Sequence, residues 1–323
     1  MRLFKILLFI IFCGFSFYGP YVAFINDFPR VKTAVIDIYP GDSINKSINK
    51  ISSDNFINRI FIKLYLMSND IDDFKAGEYD IQDKKIKNII DEIANGITVT
   101  HKFVILEGTN IYELEKQINN SYLTNDCSYL TCIETSFPFY EGILYPDTYF
   151  YKKGMDSSNI LKKSHKRMSD FVESLELNKS ISLNKNELLI LASIIEKEAG
   201  NELEKNSIAS VFLKRLSIDM KLQADPTIIY GLLPNFDGDI KKSDILSRDN
   251  KYNTYMIKGL PPTPIAISSK GSILAAFNAS PGDYLYFVAD SPRSHYFSIT
   301  YEEHLNKIKE LGLDRWILSL LKV

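Results

Sequence analysis

The sequence lacks a charge excess of either sign. Its 38 basic and 40 acidic side chains leave a formal net charge of -2. No global basic field exists to hold a nucleic acid, which excludes that class of partner. Low-complexity tracts and repeats of solenoid length are also absent, so most of the chain is expected to fold. Cysteine is scarce. Cys13 lies in an apolar run, and no cluster of His and Cys accompanies Cys127 and Cys132, which argues against a zinc site. Neither a metal nor any other cofactor is expected. Cys127 and Cys132 flank four residues. In an oxidising compartment they can pair across that short loop, although loop geometry often forbids such a bridge.

Charge is missing altogether from Ile6 to Ile25, a run rich in Ile, Leu and Phe. About 20 residues is the length of a helix that crosses a bilayer core. Arg2 and Lys5 precede the run and Asp27 follows it. The positive-inside rule then keeps the N-terminus in the cytoplasm and places the rest across the membrane. The rival is a cleaved signal peptide, but the run is long and has no small residues at an A-x-A-like site. A lipoprotein would need small residues before Cys13, where Ile11 and Phe12 stand. The expectation is an uncleaved single-pass anchor over residues 1–27, with Gly19 and Pro20 as a tolerated kink.

The remainder, at a total length of 323 residues, is long enough for two domains. Residues 28–97 read as a small α+β unit. Val35, Ile36 and Ile38 suggest a strand, the turn Pro40-Gly41-Asp42 ends it, and Ser43 can cap a helix carrying Ile44, Ile48 and Ile51. A second helical pattern spans Phe56 to Met67. Ala76-Gly77-Glu78-Tyr79 turns into a short strand, and Ile86, Ile89, Ile90 and Ile93 recur at helical spacing up to Gly96. Residues 98–323 read as a larger, mixed α+β domain. They open on a strand from Thr98 to Leu106 and a helix from Ile111 to Asn119. The turn-rich stretch from Cys127 to Lys153 suggests a shaped surface, and Lys162 to Val172 a solvated basic helix. Asn184 with Glu187, and Asn201 with Glu204, carry capping-box signatures for two helices, the first ended by Gly200. Tyr284 to Ala289 reads as a buried strand, turned by Asp290, Ser291 and Pro292.

One carboxylate stands out. Leu188, Leu191, Ala192, Ile195 and Ala199 line one face of the Asn184 helix. Glu198 falls roughly 50° from the centre of that face and Glu196 about 110° away. Glu198 is therefore the acid drawn inward, where burial favours its protonated form, as a general acid near neutral pH requires. The plain alternative is a surface Glu at a helix end paired with a lysine. Downstream, Asp225-Pro226 is a standard N-cap and first-position pair, while Gln223 is a polar amide placed to face a sugar. Tyr252-Asn253-Thr254-Tyr255 offers aromatic faces with polar tips, which suit carbohydrate rings, and the prolines of Gly259-Leu260-Pro261-Pro262-Thr263-Pro264 stiffen the neighbouring loop. His295 and His304 are candidate acids or ligands, although a lone His in a loop is more often structural.

In this order the segments resemble the endolytic murein transglycosylase family, the YceG-like lytic transglycosylases. Leu106-Glu107-Gly108-Thr109 resembles its Pro-Glu-Gly motif. Glu141-Gly142-Ile143-Leu144-Tyr145-Pro146-Asp147-Thr148-Tyr149 matches its Glu-Gly-x-Leu-x-Pro-Asp-Thr-Tyr segment. Ala192 to Glu198 matches the motif whose second Glu is catalytic, and Leu222 to Thr227 with Ile229-Tyr230-Gly231 matches another block. Tyr252 to Tyr255 with Gly259 to Pro262 matches a third. Thr263 stands where the family usually carries Gly, and Ser291-Pro292-Arg293-Ser294 replaces its Gly-rich turn before the His-x-Phe pattern of His295.

The resemblance implies a LysM-like first subdomain and a periplasmic catalytic domain held at the inner membrane. It also implies action on the β-1,4 bond between N-acetylmuramic acid and N-acetylglucosamine in nascent peptidoglycan strands, ending their growth beside penicillin-binding synthases. Glu198 would give its proton to the glycosidic oxygen and then take one from the muramyl 6-hydroxyl, closing a 1,6-anhydro ring. Gln223, Asp225, Tyr252, Asn253, Thr254 and Tyr255 are the substrate-binding candidates. Two rivals stand beside this reading. One is a non-catalytic peptidoglycan-binding scaffold. The other is a two-carboxylate hydrolase with Glu196, Asp225 or Asp147 as the partner of Glu198.

Overall fold

The structure is a computed structural model. It describes residues 2–31, 33–52, 55–176 and 183–313, with side chains described from Gly14 onward. The chain divides into two compact units. One runs to Lys102 and includes Phe150–Met155; the other takes Phe103–Tyr149 and the chain from Asp156 on. The sequence places the boundary slightly earlier, at residue 97, and has no place for the returning segment.

In the first unit, helix α1 (Arg2–Ile25) continues through Gly19 and Pro20 without a break. Phe17, Tyr21 and Phe24, spaced to share one helical face, close on Phe61 at ring-centroid distances of 5.2, 5.8 and 5.7 Å. Ile25 joins the same core. The last turns of the expected anchor therefore pack within this unit. Among the described residues no helix is long and apolar enough to cross a membrane. The side chains of the first half of the expected anchor lie outside those described.

Strand β1 (Val35–Ile38), helices α2 (Ile44–Ile51) and α3 (Phe56–Ser68), strand β2 (Gly77–Asp80) and helix α4 (Ile86–Asn95) follow in order. Their ends have local causes. Ser43 Oγ accepts from Lys46 N at 3.3 Å to cap α2. Gly96 ends α4 in the left-handed region at φ 72°, where a side chain would be strained. β1 and β2 run antiparallel, with Ile36 opposite Tyr79. Ile36, Ile38, Ile48, Ile51, Tyr79, Ile89, Ile90 and Ile93 fill the core, as the spacing of the apolar residues indicates.

Strand β3 (His101–Ile105) pairs with β4 (Asp147–Tyr151). The former is shorter than the expected strand from Thr98, and the latter was not legible in its aromatic, turn-rich surroundings. Helix α5 (Ile111–Asn119) starts at a complete capping box of Asn110 and Glu113. Cys127 and Cys132 form a disulfide. Helix α6 (Ser157–Glu176) is longer than the expected basic helix, and it buries Ile160, Leu161, Met168 and Val172 beneath its charged face.

Helix α7 (Lys185–Glu198) is the centre of the second unit. It packs against α8 (Lys205–Ser217), α9 (Asp225–Leu232) and α11 (Lys270–Asn278), which is preceded by the short α10 (Lys242–Leu246). Every residue from Leu188 to Ile195 is buried. A helix buried on all sides has no solvated face, which corrects the one-sided stripe read from sequence. Each large apolar side chain in it contributes roughly 1.5–3 kcal/mol by burial. Strands β5 (Tyr286–Ser291) and β6 (Ser294–Ser298) form a hairpin, and α12 (Tyr301–Glu310) closes the described chain. The sequence suggested a buried strand here, but β5 is half-buried for three residues and exposed for three, because the hairpin covers the unit from outside.

Candidate active site

A cleft of about 400 Å³ lies where the end of α7 meets α8, the start of α9 and the β5–β6 hairpin. Glu198, Arg215, Gln223, Asp225 and Tyr255 line one part of it. β5, β6 and α12 add Tyr286, Phe287, Val288, Ala289, His295, Tyr301 and His304. A larger hollow of about 620 Å³ runs along Thr131–Tyr140, but its lining brings a single carboxylate, Glu134, and no cation. Volume alone therefore does not locate the chemistry.

Glu198 is the last residue of α7 and half-buried. Its carboxyl is pushed up to about 8, first by burial and then by the nearby Asp225 charge, while Arg215 pulls it down. The negative end of the helix dipole also disfavours the carboxylate at this position. A carboxyl that keeps its proton at neutral pH can donate it.

Glu196 was expected to stay farther from the interior. Its side chain is only 8 % exposed, because α7 is enclosed all round. It accepts from Ser269 N at 2.9 Å and from the hydroxyls of Ser269 and Ser272 at 2.5 Å each. Burial alone would raise its pKa, yet these bonds and Lys205 outweigh burial and lower it. Glu196 is an ionised tie between α7 and the first turn of α11. Asp147 lies on β4, paired with Arg167 at 2.7 Å and outside the cleft. Of the three acids considered as partners for Glu198, the cleft contains Asp225 alone.

Asp225 is not an N-cap. The cap is Ala224, and Asp225 with Pro226 opens the helix. Its carboxylate accepts from Tyr255 Oη at 2.7 Å. Burial, followed by the Asp225 charge, raises the Tyr255 pKa and keeps the phenol protonated as a donor. Gln223 is exposed at the rim with a left-handed backbone, φ 51°. This conformation turns the chain sharply from Leu222 into the helix.

The other three substrate-binding candidates stand elsewhere. Tyr252 packs edge-on against Tyr230 at 4.8 Å and shares a 2.9 Å hydrogen bond with Thr263. Thr254 is fully buried; its hydroxyl accepts from Ala224 N at 2.9 Å and clamps the start of α9. Asn253 is also fully buried and donates to the carbonyls of Asp244, Ile245 and Ser247. In this tight turn only Tyr255 reaches the cleft.

The family-like Glu141 is also outside the cleft. It accepts from Ile111 N at 2.8 Å and Gly142 N at 3.0 Å, and burial raises it to about 7 against those bonds and one from Tyr230.

Arg215 was not legible as a site residue, since a cation beside an apolar stripe reads as solvated. It is buried, and it donates to Leu285 O at 2.8 Å and Leu222 O at 2.6 Å. One guanidinium thus ties two walls of the cleft together. His304 stacks on Tyr286 at 5.3 Å, and burial, aided by Arg215, lowers its pKa and keeps it neutral.

Gly200 was read as a helix terminator, but the helix cap is Ala199. The glycine is needed for close approach. A Cβ there would lie 2.8 Å from the backbone carbon of Arg293 and 2.9 Å from its oxygen. Gly200→Ala should push the hairpin away from the end of α7, at a cost of about 1–3 kcal/mol for overpacking. Denaturant melts should report that loss, and any activity should fall more than stability alone explains.

Comparison with known proteins follows this geometry. The model of the YceG-like family matches residues 36–310. A Bacillus subtilis (strain 168) protein named endolytic murein transglycosylase is 40% identical over 174 residues, 53% of this chain and 47% of that protein. One of the same name from Streptococcus pneumoniae (strain D39) is 31% identical over 183 residues, 53% of this chain and 32% of that protein. The matches thus span about half or less of these relatives' length. A crystal structure of a yceG-like protein from Listeria monocytogenes superposes with a TM-score of 0.52 at 29% identity, over 84% of this chain and 98% of that one. The family model runs from the first strand of the first unit into the last described helix, and on that extent the chain belongs to the YceG-like family.

Proposed function

We propose that this protein is an endolytic peptidoglycan lytic transglycosylase and that Glu198 serves as its acid and then its base. The observation that carries the reading is a carboxyl held protonated up to about pH 8 in a cleft beside a hydrogen-bonded Asp225–Tyr255 pair. The names of the curated relatives support the substrate class. As the bond from the muramyl C1 to the glycosidic oxygen breaks, that oxygen takes the Glu198 proton. The muramyl 6-hydroxyl attacks C1 and gives its proton to the Glu198 carboxylate. The enzyme is regenerated, a 1,6-anhydro end forms, and no water is consumed. Asp225 would add negative charge near the developing oxocarbenium, fixed in place by Tyr255.

The first unit, with its strand–helix–helix–strand order, would act as a LysM-like module. The uncharged run from Ile6 to Ile25 supports a single-pass anchor at the inner membrane, N-terminus inside and catalytic unit in the periplasm. There the enzyme would end strand elongation beside penicillin-binding synthases.

Asp225 in the same cleft favours one second reading, a two-carboxylate hydrolase. Digestion of purified glycan strands followed by mass spectrometry separates them. Anhydro-muramyl ends are expected. Reducing muramyl ends would indicate hydrolysis, and uncut strands would indicate a binding scaffold.

A further inference from the structure

His295 enters the cleft from β6 on a support that the acid–base chemistry of Glu198 does not use. Both oxygens of Glu204 are committed to it. Oε1 accepts from the His295 backbone N at 2.6 Å, and Oε2 lies 3.0 Å from Nδ1. The two side chains are 12 % and 13 % exposed, so water competes weakly for this contact. Glu204 is itself held by the short helical turn Glu202–Glu204, where its backbone N donates to Asn201 Oδ1 at 3.2 Å. The edge of the imidazole meets the ring of Phe287 at 5.4 Å, which fixes the ring plane.

A carboxylate only accepts, so the contact requires the hydrogen on Nδ1. In a neutral ring Nε2 is then a lone-pair acceptor. Among the described residues Nε2 has no hydrogen-bond partner, and it is not sealed from solvent. The ring lines the same cleft as Glu198.

We propose that Glu204 locks His295 in the Nδ1–H tautomer, so that Nε2 accepts a hydrogen bond from a donor on the bound sugar, a hydroxyl or an acetamido N–H. His295 is then a substrate-binding residue and Glu204 the positioning residue behind it. The assignment rests on the glycan-cleaving reading and extends it.

The substitution Glu204→Gln tests the lock. The buried His295 N–H still needs an oxygen, so the amide nitrogen must face Nδ1 and the ring must move its hydrogen to Nε2. The cleft would then meet a donor where it had an acceptor. Full-length protein carrying 15N at its four histidines allows long-range 1H–15N spectra to read the tautomer directly. The expected spectrum shows Nδ1–H at His295 in the wild type and Nε2–H in Glu204→Gln. On purified glycan strands, Glu204→Gln and His295→Ala should each raise KM about tenfold, the size of one lost hydrogen bond. His295→Gln, which can place an amide oxygen near Nε2, should recover part of the loss. De-N-acetylated strands distinguish the donors: the His295→Ala effect vanishes on them if the acetamido N–H is read and persists if a hydroxyl is read.

An Nε2–H tautomer in the wild type would overturn the proposal even if Glu204→Gln does not fold. So would a KM unchanged in a folded His295→Ala. Failure of the glycan-cleaving reading looks different, because the wild type itself would then leave strands uncut.

Discussion

Glu198→Gln abolishes glycan cleavage and raises thermal stability at neutral pH. The loss of rate is at least the about 10²–10⁴-fold that acid–base assistance supplies, since Gln keeps the size of the side chain and removes its proton. The stability gain follows from linkage. The ordinary carboxyl value is 4.5, and in the fold the group is raised to about 8. Between those pH values the folded protein holds a proton that the unfolded chain has released, so stability falls as pH rises through that window. Gln does not titrate. The Tm difference between variant and wild type should widen from pH 5 to pH 8, and cleavage by the wild type should decline above pH 8 as the acid ionises. A Tm gap independent of pH, or a variant that still cuts, would refute the assignment. Glu196→Gln is the control with the opposite sign. Its pKa is lowered, so its contribution to stability is present above the ordinary carboxyl value and lost on acidification below it. This variant should melt earlier at neutral pH, with chemistry impaired only as far as α11 moves.

Asn253→Ala loses about 2–4 kcal/mol of stability, the range for stranding several buried polar groups at once. The amide sits at zero exposure. It donates to three carbonyls between Asp244 and Ser247, and its oxygen accepts from Tyr255 N at 3.0 Å. Alanine leaves those groups without partners and frees the turn that aims Tyr255 at Asp225. Urea unfolding should show the loss. The sequence suggested a sugar contact instead; unchanged stability with weakened glycan binding would restore that suggestion.

The local signals were the legible ones. Asn110 with Glu113 and Asn184 with Glu187 form capping boxes where the residues announce them, and Gly96 ends α4. Isoleucine spacing located the core of the first unit, because a helix or strand with one buried face must repeat its apolar residues at a set period. Signals that depend on what lies across the fold were misread. Tyr252 to Tyr255 are adjacent in sequence, yet the turn sends Tyr255 to the cleft, Asn253 and Thr254 into the interior and Tyr252 toward Tyr230. Asp225-Pro226 looks like a cap, but Ala224 takes that place and the acid is left to Tyr255. No pattern within α8 distinguishes Arg215 from a solvated cation, because its partners are carbonyls at Leu222 and Leu285.

Sequence alone determined the elements, their order, the family resemblance and the choice of Glu198 as the acid at the end of an apolar helix. These follow from short-range periodicity, capping chemistry and residue spacing, which need no knowledge of distant neighbours. Tertiary structure decided what surrounds that acid: Asp225 rather than Asp147 or Glu196 beside it, Arg215 bracing the walls, and His295 entering from the hairpin. A side chain's charge and hydrogen-bonding state depend on the groups packed against it, and here those groups come from segments that meet only when the chain is folded.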